Sequence, residues 1–383
     1  MAVQKIIITP ILVFLMTIFF NASSSSSSNN SQYPFLNHGV RSAYWPAGGD
    51  FLPSSINTNY FTHIFYAFIQ PDPISFNLII TKSDKKWAHN FTNELRHRYP
   101  PVKTLFSIGG GTSNSTLFSE IASTKQNREI FINSTIHVAR KYGFDGVDLD
   151  WEFPQTEKDM FNLGLLYEEW YNALFAEAIV GRKPRLLLTS AVYYNSTIRL
   201  TGKGSRSYPA HAINKYLDWA SPMCFDYHGS WANNTGFNAA LYDPESEIST
   251  NFGIRSWIKS GVRPEKLVMG LALYGRTWEL KDPNVHGVGA DAVGPATDTD
   301  GSMNYNEILK FNKDSGANVV YDKVAVSFYS YAGTTWIGYD DVPSITTKVR
   351  FAKSLGLKGY FFWALGKDKD WTISRQASNT WGH

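Results

Sequence analysis

The 383-residue sequence predicts an α/β protein of the (β/α)8 TIM barrel class. Short apolar runs rich in strand-forming residues alternate with helical stretches, which is typical of repeated βα units and a parallel sheet. We count eight such runs, and eight strands close this type of barrel. One run ends in a row of acidic residues, and the carboxyl ends of the strands are where such barrels keep their active sites.

The apolar runs give the predicted strands, at residues 40–45, 62–68, 103–108, 143–150, 185–192, 219–225, 266–273 and 359–363. The sixth of them contains Pro222, which has no backbone N–H to donate to a neighbouring strand. We therefore expect the paired part of this strand to begin late.

The helix before the acidic strand has the clearest pattern. Within residues 127–142, Phe131, Thr135 and Val138 recur at spacings of four and three, so their side chains share one helix face. Gly143 follows and can end the helix. The acidic run 143–150 is then the next strand of the barrel.

Between the seventh and eighth predicted strands, the regular alternation of strands and helices is interrupted. Residues 276–335 contain several glycines and short strand-like pieces, and this stretch is too long for an ordinary βα connection. We predict an insertion here within a single barrel domain, residues 37–383.

The first residues have the composition of a targeting segment. Lys5 precedes an apolar run, residues 6–20, that is too short to span a membrane comfortably, so we predict a signal peptide over residues 1–25. Residues 26–36 are rich in serine and asparagine and form a low-complexity segment. The mature chain is expected to be soluble and secreted, in the extracellular space or the vacuole, without attachment to a membrane.

Charge and cysteine content narrow the possible partners. A formal charge of +3 gives no electrostatic reason to expect nucleic acid binding, so the partner is expected to be neutral. Cys224 is the single cysteine; a buried small side chain is the favoured interpretation and a nucleophile the alternative. The histidines show no paired metal-ligand spacing, so neither a metal nor another cofactor is expected. Glycosylation sequons begin at Asn90, Asn114, Asn133, Asn195 and Asn233.

The acidic strand places three carboxyl groups on one face. Asp148, Asp150 and Glu152 alternate with apolar residues, so neighbouring carboxyl groups lie roughly 6 to 7 Å apart. Crowded carboxyl groups cannot all ionise, and a retained proton near neutral pH is what a general acid needs. A solvated strand face and an oxygen-rich cation site are the alternatives.

These acids belong to a longer motif that resembles a known family. Asp145 completes the pattern Asp-x-x-Asp-x-Asp-x-Glu, and Ser107, Gly109 and Gly110 supply an upstream Ser-x-Gly-Gly. With both motifs the chain resembles the glycoside hydrolases of family 18, and more narrowly the plant class V chitinases. The resemblance runs from about residue 41 to residue 381.

The resemblance implies hydrolysis of β-1,4 links between N-acetylglucosamine units with retention at the anomeric carbon. The substrate's own acetamido oxygen is the nucleophile in this family. Glu152 would be the general acid and later the base, and Asp150 would orient the acetamide. Asp148 would share a proton with Asp150.

Further site residues are implied by the same resemblance. Tyr44 and Ser107 match hydroxyl groups that bind the buried Asp148, Asp226 matches a carboxylate near the acetamide, and Trp363 matches an aromatic floor under the reactive sugar. The alternative for Tyr44 and Trp363 is a place in the hydrophobic core. Weaker groove candidates are Phe68, Met223, Tyr227, Tyr274, Arg276, Trp278 and Trp336.

One position departs from the family pattern. Relatives usually carry Met-x-Tyr-Asp on the sixth strand, whereas this chain has Phe225 between Cys224 and Asp226. A missing hydrogen bond to the reacting acetamide would cost about 1 to 3 kcal/mol unless Tyr227 or water replaces it.

We therefore expect a secreted, monomeric, endo-acting chitinase whose partners are chitin and its oligosaccharides. A carbohydrate-binding lectin on the same fold and a hydrolase of lipo-chitooligosaccharide nodulation signals are the alternatives. The resemblance also implies that the insertion is a small α+β unit beside the groove.

Overall fold

The computed structural model describes residues 39–199, 204–296 and 300–382. The predicted signal peptide and the low-complexity segment lie outside these ranges. In chain order the strands are β1 Val40–Pro46, β2 His63–Pro71, β3 Leu78–Ile79, β4 Lys103–Gly109, β5 Gly146–Asp150, β6 Leu187–Tyr193, β7 Thr197–Arg199, β8 Ser205–Ser207, β9 Trp219–Met223, β10 Val268–Ala272, β11 Tyr274–Leu280, β12 Ala292–Gly294, β13 Ser302–Asn304, β14 Asn318–Asp322, β15 Ser327–Ala332, β16 Thr335–Tyr339 and β17 Gly359–Trp363.

Helices separate most of the barrel strands. They are α1 Lys82–Arg96, α2 Ser115–Ser123, α3 Lys125–Tyr142, α4 Glu157–Gly181, α5 Ala210–Tyr216, α6 Thr250–Lys259, α7 Tyr305–Asp314, α8 Val342–Ser354 and α9 Thr372–Trp381. Single turns of 3₁₀ helix occur at Pro53–Ser55, Thr58–Tyr60 and Pro264–Lys266. None of the helices within the described ranges is both long enough and apolar enough to cross a membrane.

Eight parallel strands form a nearly closed barrel, which confirms the predicted fold class. Their order is β10, β17, β1, β2, β4, β5, β6 and β9, and each neighbouring pair is parallel. The ring closes weakly between β9 and β10, where the described residues show one backbone bridge, between Ala220 and Leu267. β5, in contrast, has a continuous parallel neighbour on each side.

Strand alternation divides the core into two layers. Along β1, Tyr44 points into the barrel and packs with Phe65 and Phe361, whereas Ala43 and Trp45 pack outward against the helices. The inner layer also holds Leu105, Trp219 and Val268. The barrel interior is thus filled by side chains at its base, and a binding site can form only at the strand ends.

Helix α3 confirms the predicted helix before the acidic strand. Thr124 caps its first turn by accepting a hydrogen bond from the backbone N–H of Asn127. Gly143 ends the helix with a φ of 77°, a left-handed conformation that suits glycine. Because Gly143 serves as this cap, β5 begins only at Gly146, three residues later than predicted.

The late start predicted for the sixth barrel strand is wrong. β9 begins at Trp219, and Pro222 lies inside it, opposite Val192 of β6. The extended backbone tolerates proline here because only one ladder bond near the strand end is lost. The carbonyl of Pro222 then accepts a bond from the N–H of Cys224, so Phe225 and Asp226 follow the strand as a loop.

An antiparallel sheet and helix α7 lie between β10 and α8. The strand order is β12, β11, β16, β15 and β14, with β13 pairing to β11. Helix α7 crosses between β13 and β14. Trp278, Leu280 and Trp336 form a separate small core for this unit.

The predicted sequons differ in exposure. Asn90, Asn114, Asn133 and Asn233 are exposed, whereas Asn195 is buried. The side-chain oxygen of Asn195 accepts a hydrogen bond from the N–H of Thr197, within the turn between β6 and β7. A glycan on Asn195 would therefore displace part of this turn.

Candidate active site

The acidic strand β5 directs its carboxyl groups into the barrel. Asp148 is fully buried and Asp150 is 4% exposed, while Val147 and Leu149 pack on the helix side. Trp151 anchors the strand end on α2 by donating from Nε1 to the hydroxyl oxygen of Ser115 at 2.8 Å. This alternation, predicted from the sequence, places the acids at the floor of the site.

Three hydroxyl groups surround Asp148. Tyr44 and Ser107 donate to its Oδ2 at 2.9 and 2.7 Å, and Thr189 donates to its Oδ1 at 2.6 Å. The donors come from β1, β4 and β6, so Asp148 is held from both sides and from across the barrel. Tyr44 and Ser107 are the partners that the family resemblance implied for this carboxyl group.

Burial is the main influence on the protonation of Asp148 and Asp150. It raises the pKa of Asp148 above the usual value, and the three hydroxyl donors oppose that rise because they stabilise the charged form. The pKa of Asp150 is raised well above its usual value, first by burial and then by the charges of Glu152 and Asp148. The Oδ1 atom of Asp150 is buried without a hydrogen-bond partner.

Glu152 follows the strand and faces the groove. Burial, and to a smaller extent the charge of Asp226, raise its pKa to about 7. A carboxyl group with a pKa near neutrality can donate a proton in one step and accept one in the next. This arrangement can therefore support acid and base chemistry at one residue.

The Ser-x-Gly-Gly motif leaves room for the acids. A Cβ atom on Gly109 would lie 2.1 Å from the carbonyl oxygen of Asp150, and one on Gly110 would lie 2.6 Å from the ring of Phe68. Both glycines have positive φ angles, 112° and 87°. Side chains at these positions would disrupt β4 beside the acidic strand.

Two adjoining cavities form the groove. One of about 170 Å³ is lined by aromatic side chains and by the acids, namely Tyr44, Phe68, Gly111, Asp150, Glu152, Ala191, Met223, Phe225, Asp226, Phe361 and Trp363. Trp363 stacks on Phe68 with ring centroids 5.5 Å apart. The other cavity, of about 370 Å³, shares Glu152, Met223, Phe225 and Asp226 and extends past Phe153, Tyr193 and Asn195. Glu152 thus lies where the two cavities meet.

Asp226 and Arg276 form an ion pair on the groove wall. The Nε and a terminal nitrogen of Arg276 each lie 2.7 Å from Oδ1 of Asp226. Asp226 has a φ of 58°, and its N–H donates to the side chain of Asn238 at 3.1 Å. Asn238 also donates to the carbonyl of Tyr274 at 3.0 Å, so one buried amide joins the β9 loop to β11.

Two predicted groove residues lie elsewhere, and the hydroxyl group of a third points away from the groove. Trp278 and Trp336 are completely buried and pack on each other at 5.3 Å inside the insertion, so their prediction as groove residues is wrong. Their indole N–H groups donate to the carbonyls of Ala232 and His286. Tyr227 borders the larger cavity, but its hydroxyl group is buried and bonded to Thr250 at 3.0 Å. It therefore does not replace the hydroxyl that Phe225 lacks.

Three residues that the sequence did not indicate lie at the site. Thr189 is opposite Asp148 in the β5–β6 register, and Asn238 supports Asp226. Trp231 is 62% exposed and lies 5.1 Å from the guanidinium of Arg276, the ion-pair partner of Asp226. A threonine on the strand after the acidic strand was the available signal for Thr189. For the other two, only the folded loop brings them to the site.

The remaining reactive residues do not form a second centre. Within residues 39–199, 204–296 and 300–382, no group of three or more His, Cys, Asp or Glu side chains could hold a metal ion. Cys224 is buried, and burial raises the pKa of its thiol to about 12. A thiol in this state is a poor nucleophile at neutral pH.

The fold and site together define a glycoside hydrolase: a barrel with buried carboxyl groups below a single acid, at the floor of an aromatic groove. The sequence profile of the Glycosyl hydrolases family 18 matches residues 23–368. The chain belongs to this family.

Curated relatives include several plant proteins. The chain is 87% identical over 384 residues to Class V chitinase CHIT5a of Medicago truncatula, with 100% of both chains covered. It is 70% identical to Class V chitinase CHIT5 of Lotus japonicus, covering 100% of this chain and 96% of that one. Nod factor hydrolase protein 1 of Medicago truncatula is 50% identical, over 89% of this chain and 90% of the relative.

Solved structures of similar proteins share the whole barrel. A class V chitinase mutant from Nicotiana tobaccum, in complex with NAG4, has a TM-score of 0.86 at 38% identity, covering 90% of this chain and 99% of that one. The chitinase-like agglutinin RobpsCRA from Robinia pseudoacacia has a TM-score of 0.82, also at 38% identity, covering 90% and 100%.

Proposed function

We propose that this protein is a secreted chitinase that hydrolyses β-1,4 bonds between N-acetylglucosamine units. The observation that carries the proposal is the position of Glu152, an acid with a pKa of about 7, between two cavities of one groove. A sugar on each side of Glu152 would place the bond between them beside its carboxyl group. The groove continues from this point as two cavities, which favours cleavage within a chain.

The first step would use the substrate's own acetamide. The acetamido oxygen attacks the anomeric carbon while Glu152 donates its proton to the glycosidic oxygen, so the carbon–oxygen bond breaks and the leaving sugar departs with a hydroxyl group. Asp150 accepts the acetamide N–H, and the negative charge of the Asp148–Asp150 pair, which shares one proton, stabilises the positive ring that forms. Trp363 and Phe68 provide an apolar surface for the pyranose ring.

The second step restores the enzyme. The Glu152 carboxylate takes a proton from water, the resulting hydroxide oxygen bonds to the anomeric carbon, and the bond to the acetamido oxygen breaks. Two inversions give retention at that carbon. The substitution Glu152→Gln keeps the shape of this residue and removes both proton transfers.

The test is release of shorter products from the N-acetylglucosamine tetramer and hexamer. We expect turnover by the natural protein, loss of at least roughly a thousandfold in Glu152→Gln, and retained oligomer binding by calorimetry. Turnover that persists in this variant would contradict the role of Glu152. Absence of turnover in the natural protein would contradict the enzymatic proposal itself.

The second candidate function is a lectin on the same barrel. Phe225 lines both cavities where relatives usually have tyrosine, and an agglutinin is among the similar structures. If the missing hydroxyl group limits the reaction, Phe225→Tyr should raise kcat/KM by about tenfold. A lectin would bind oligomers with no turnover in either form.

Substrate preference and localisation follow from the same proposal. The relative named Nod factor hydrolase protein 1 makes lipo-chitooligosaccharides the first alternative substrates to compare with chitin oligomers. The signal peptide predicted at the start of the chain supports secretion. We propose a monomer that acts without a metal or organic cofactor.

A further inference from the structure

Thr189 has a position that the acid motif alone does not explain. It is fully buried on β6, directly opposite Asp148 of β5 and level with Ser107 of β4. Its hydroxyl donates to Oδ1 of Asp148 at 2.6 Å, the shortest of the three bonds to that carboxyl group. The carbonyl oxygen of Val147, a second possible acceptor, lies 3.5 Å away, at the limit of hydrogen bonding.

With the bond from Thr189, both carboxyl oxygens of Asp148 act as hydrogen-bond acceptors. Tyr44 and Ser107 occupy Oδ2, and Thr189 occupies Oδ1, so both carboxyl oxygens accept hydrogen bonds. Protonation of Asp148 would place a donor where hydroxyl donors already lie. The three bonds therefore favour its charged form over its neutral form.

Asp150 has the opposite surroundings. Its Oδ1 is buried with no hydrogen-bond partner, and it lies between the charges of Asp148 and Glu152. A neutral carboxyl group is favoured in that position because burial and like charges both act against ionisation. Because the Asp148 carboxylate already accepts three hydrogen bonds, it binds a fourth donor, the carboxyl O–H of Asp150, more weakly.

We infer that Thr189 is a positioning residue of the reaction: by holding Asp148 as a hydrogen-bond acceptor, it places the shared proton on Asp150 and leaves Asp150 free to turn to the substrate's acetamide. The inference rests on the proposed function and names a residue that the acidic motif does not contain. Thr189 does not touch the substrate and acts through Asp148.

Several titratable groups face this carboxyl group. Asp150 and Glu152 lie on or just beyond its own strand, Tyr44 approaches from β1, and Tyr167 of α4 interacts with its charge. Tyr167 bonds to Ser190 at 2.9 Å and has its pKa raised by burial. Both tyrosines remain neutral over the working pH range, so Asp148, Asp150 and Glu152 are the groups whose ionisation the test follows.

The test compares Thr189→Val, which keeps the shape and removes the hydroxyl, with Thr189→Ser, which keeps the hydroxyl. Loss of the bond raises the pKa of Asp148, so in Thr189→Val the acidic limb of kcat/KM should move to higher pH. At the optimum, kcat should fall about tenfold with little change in KM. Thr189→Ser should keep the natural profile.

An unmoved acidic limb in Thr189→Val, with or without lower activity, would overturn the inference, because it would leave Thr189 only a packing role. If valine prevents folding at this buried site, Thr189→Ala provides the same comparison. Turnover by the natural protein separately tests the proposed function. If the natural protein shows no turnover, the pH dependence of its binding to the N-acetylglucosamine tetramer measures the same ionisations. A shift of this pH profile in Thr189→Val would support the inference, and an unchanged profile would overturn it.

Discussion

Glu152 owes its raised pKa first to burial and then to the nearby charge of Asp226. Mutation can separate these two causes, because Glu152 stays buried when the charge of Asp226 is removed. Asp226 is 37% exposed and paired with Arg276, so solvent and the guanidinium both reduce its influence. Its contribution to the pKa of Glu152 is therefore the smaller of the two.

The first prediction concerns Asp226→Asn. Removing a negative charge near Glu152 favours the ionised carboxylate, so the pKa of Glu152 falls from about 7. Since the acid must be protonated to act, the basic limb of kcat/KM should move to lower pH by about half to one pH unit. The released Arg276 charge acts in the same direction. A pH series with the N-acetylglucosamine tetramer measures this shift.

The matched control is Asp314→Asn on α7, which removes an exposed carboxylate paired with Lys310. Its basic limb should coincide with that of the natural protein. Equal shifts in both variants would show that net charge, rather than the position of Asp226, sets the profile.

Residue types explain which site residues could be predicted. The row of acids in β5 was predictable because strand alternation converts spacing in sequence directly into a shared face. Trp278 and Trp336 were misplaced because an aromatic side chain suits a groove and a core equally well. Thr189 was missed because its role depends on the register between two strands, which appears only after the sheet forms.

At the scale of elements, a buried ion pair supports the groove wall. Lys348 of α8 and Asp340 are each 1% exposed in their side chains, and the ammonium also donates to the carbonyl of Ala239. Ala239 follows Asn238, whose side chain holds the N–H of Asp226. Helix α8 is thereby connected to the loop that carries Asp226.

The second prediction is that Lys348→Met destabilises the protein by about 3 to 5 kcal/mol, because it leaves Asp340 buried without its partner. The free energy of unfolding from urea denaturation measures the effect. Adding Asp340→Leu should recover most of the loss, since no buried charge then remains. The exposed pair of Lys310 and Asp314 on α7 supplies the control: Lys310→Met should change stability by less than about 0.5 kcal/mol.

Element types were more predictable than element ends. The periodicity of Phe131, Thr135 and Val138 is strong enough to define α3, and Gly143 marks its end. The start of β5 was placed too early because the same glycine was assigned to the strand. β9 was misjudged because proline removes a donor but leaves an extended backbone intact, and only the pairing partner shows how much that loss matters.

At the scale of the whole molecule, acid stability depends on a histidine at the base of the barrel. His63 begins β2, is mostly buried, and lies 5.0 Å from the ring of Trp219. Burial, together with the smaller effects of the Lys103 and Lys358 charges, lowers its pKa to about 3. The folded protein thus keeps His63 neutral at pH values where the unfolded chain protonates it.

The third prediction is that His63→Gln reduces the loss of stability in acid. As the pH falls from about 6.5 toward 3, the unfolded state binds a proton that folded His63 does not, so the natural protein loses roughly 4 kcal/mol over this range. The free energy of unfolding of His63→Gln should therefore fall by that much less over the same pH range. Unfolding free energies measured at several pH values give the comparison, and His89→Gln on the exposed side of α1 should leave the natural slope unchanged.

The barrel itself was predictable because eight apolar runs separated by helices leave few other folds. The weak closure between β9 and β10 was not predictable from the sequence, because no residue pattern shows whether neighbouring strands form hydrogen bonds along their whole length. The sheet of the insertion was also beyond the periodicity, because its strands are short and their order depends on β11 pairing with three partners.

In the part of the chain that the structure describes, one bridge, between Ala220 and Leu267, joins β9 to the start of β10, so we expect the barrel to widen most easily at this point. β5 is bonded on both edges, so thermal motion changes the spacing of its acids little. β9 is continuously bonded on one edge and leads into the loop of Phe225 and Asp226. We therefore expect any widening of the ring to move Phe225 and Asp226 more than the acids of β5, so the groove can change its width while the spacing of those acids stays the same.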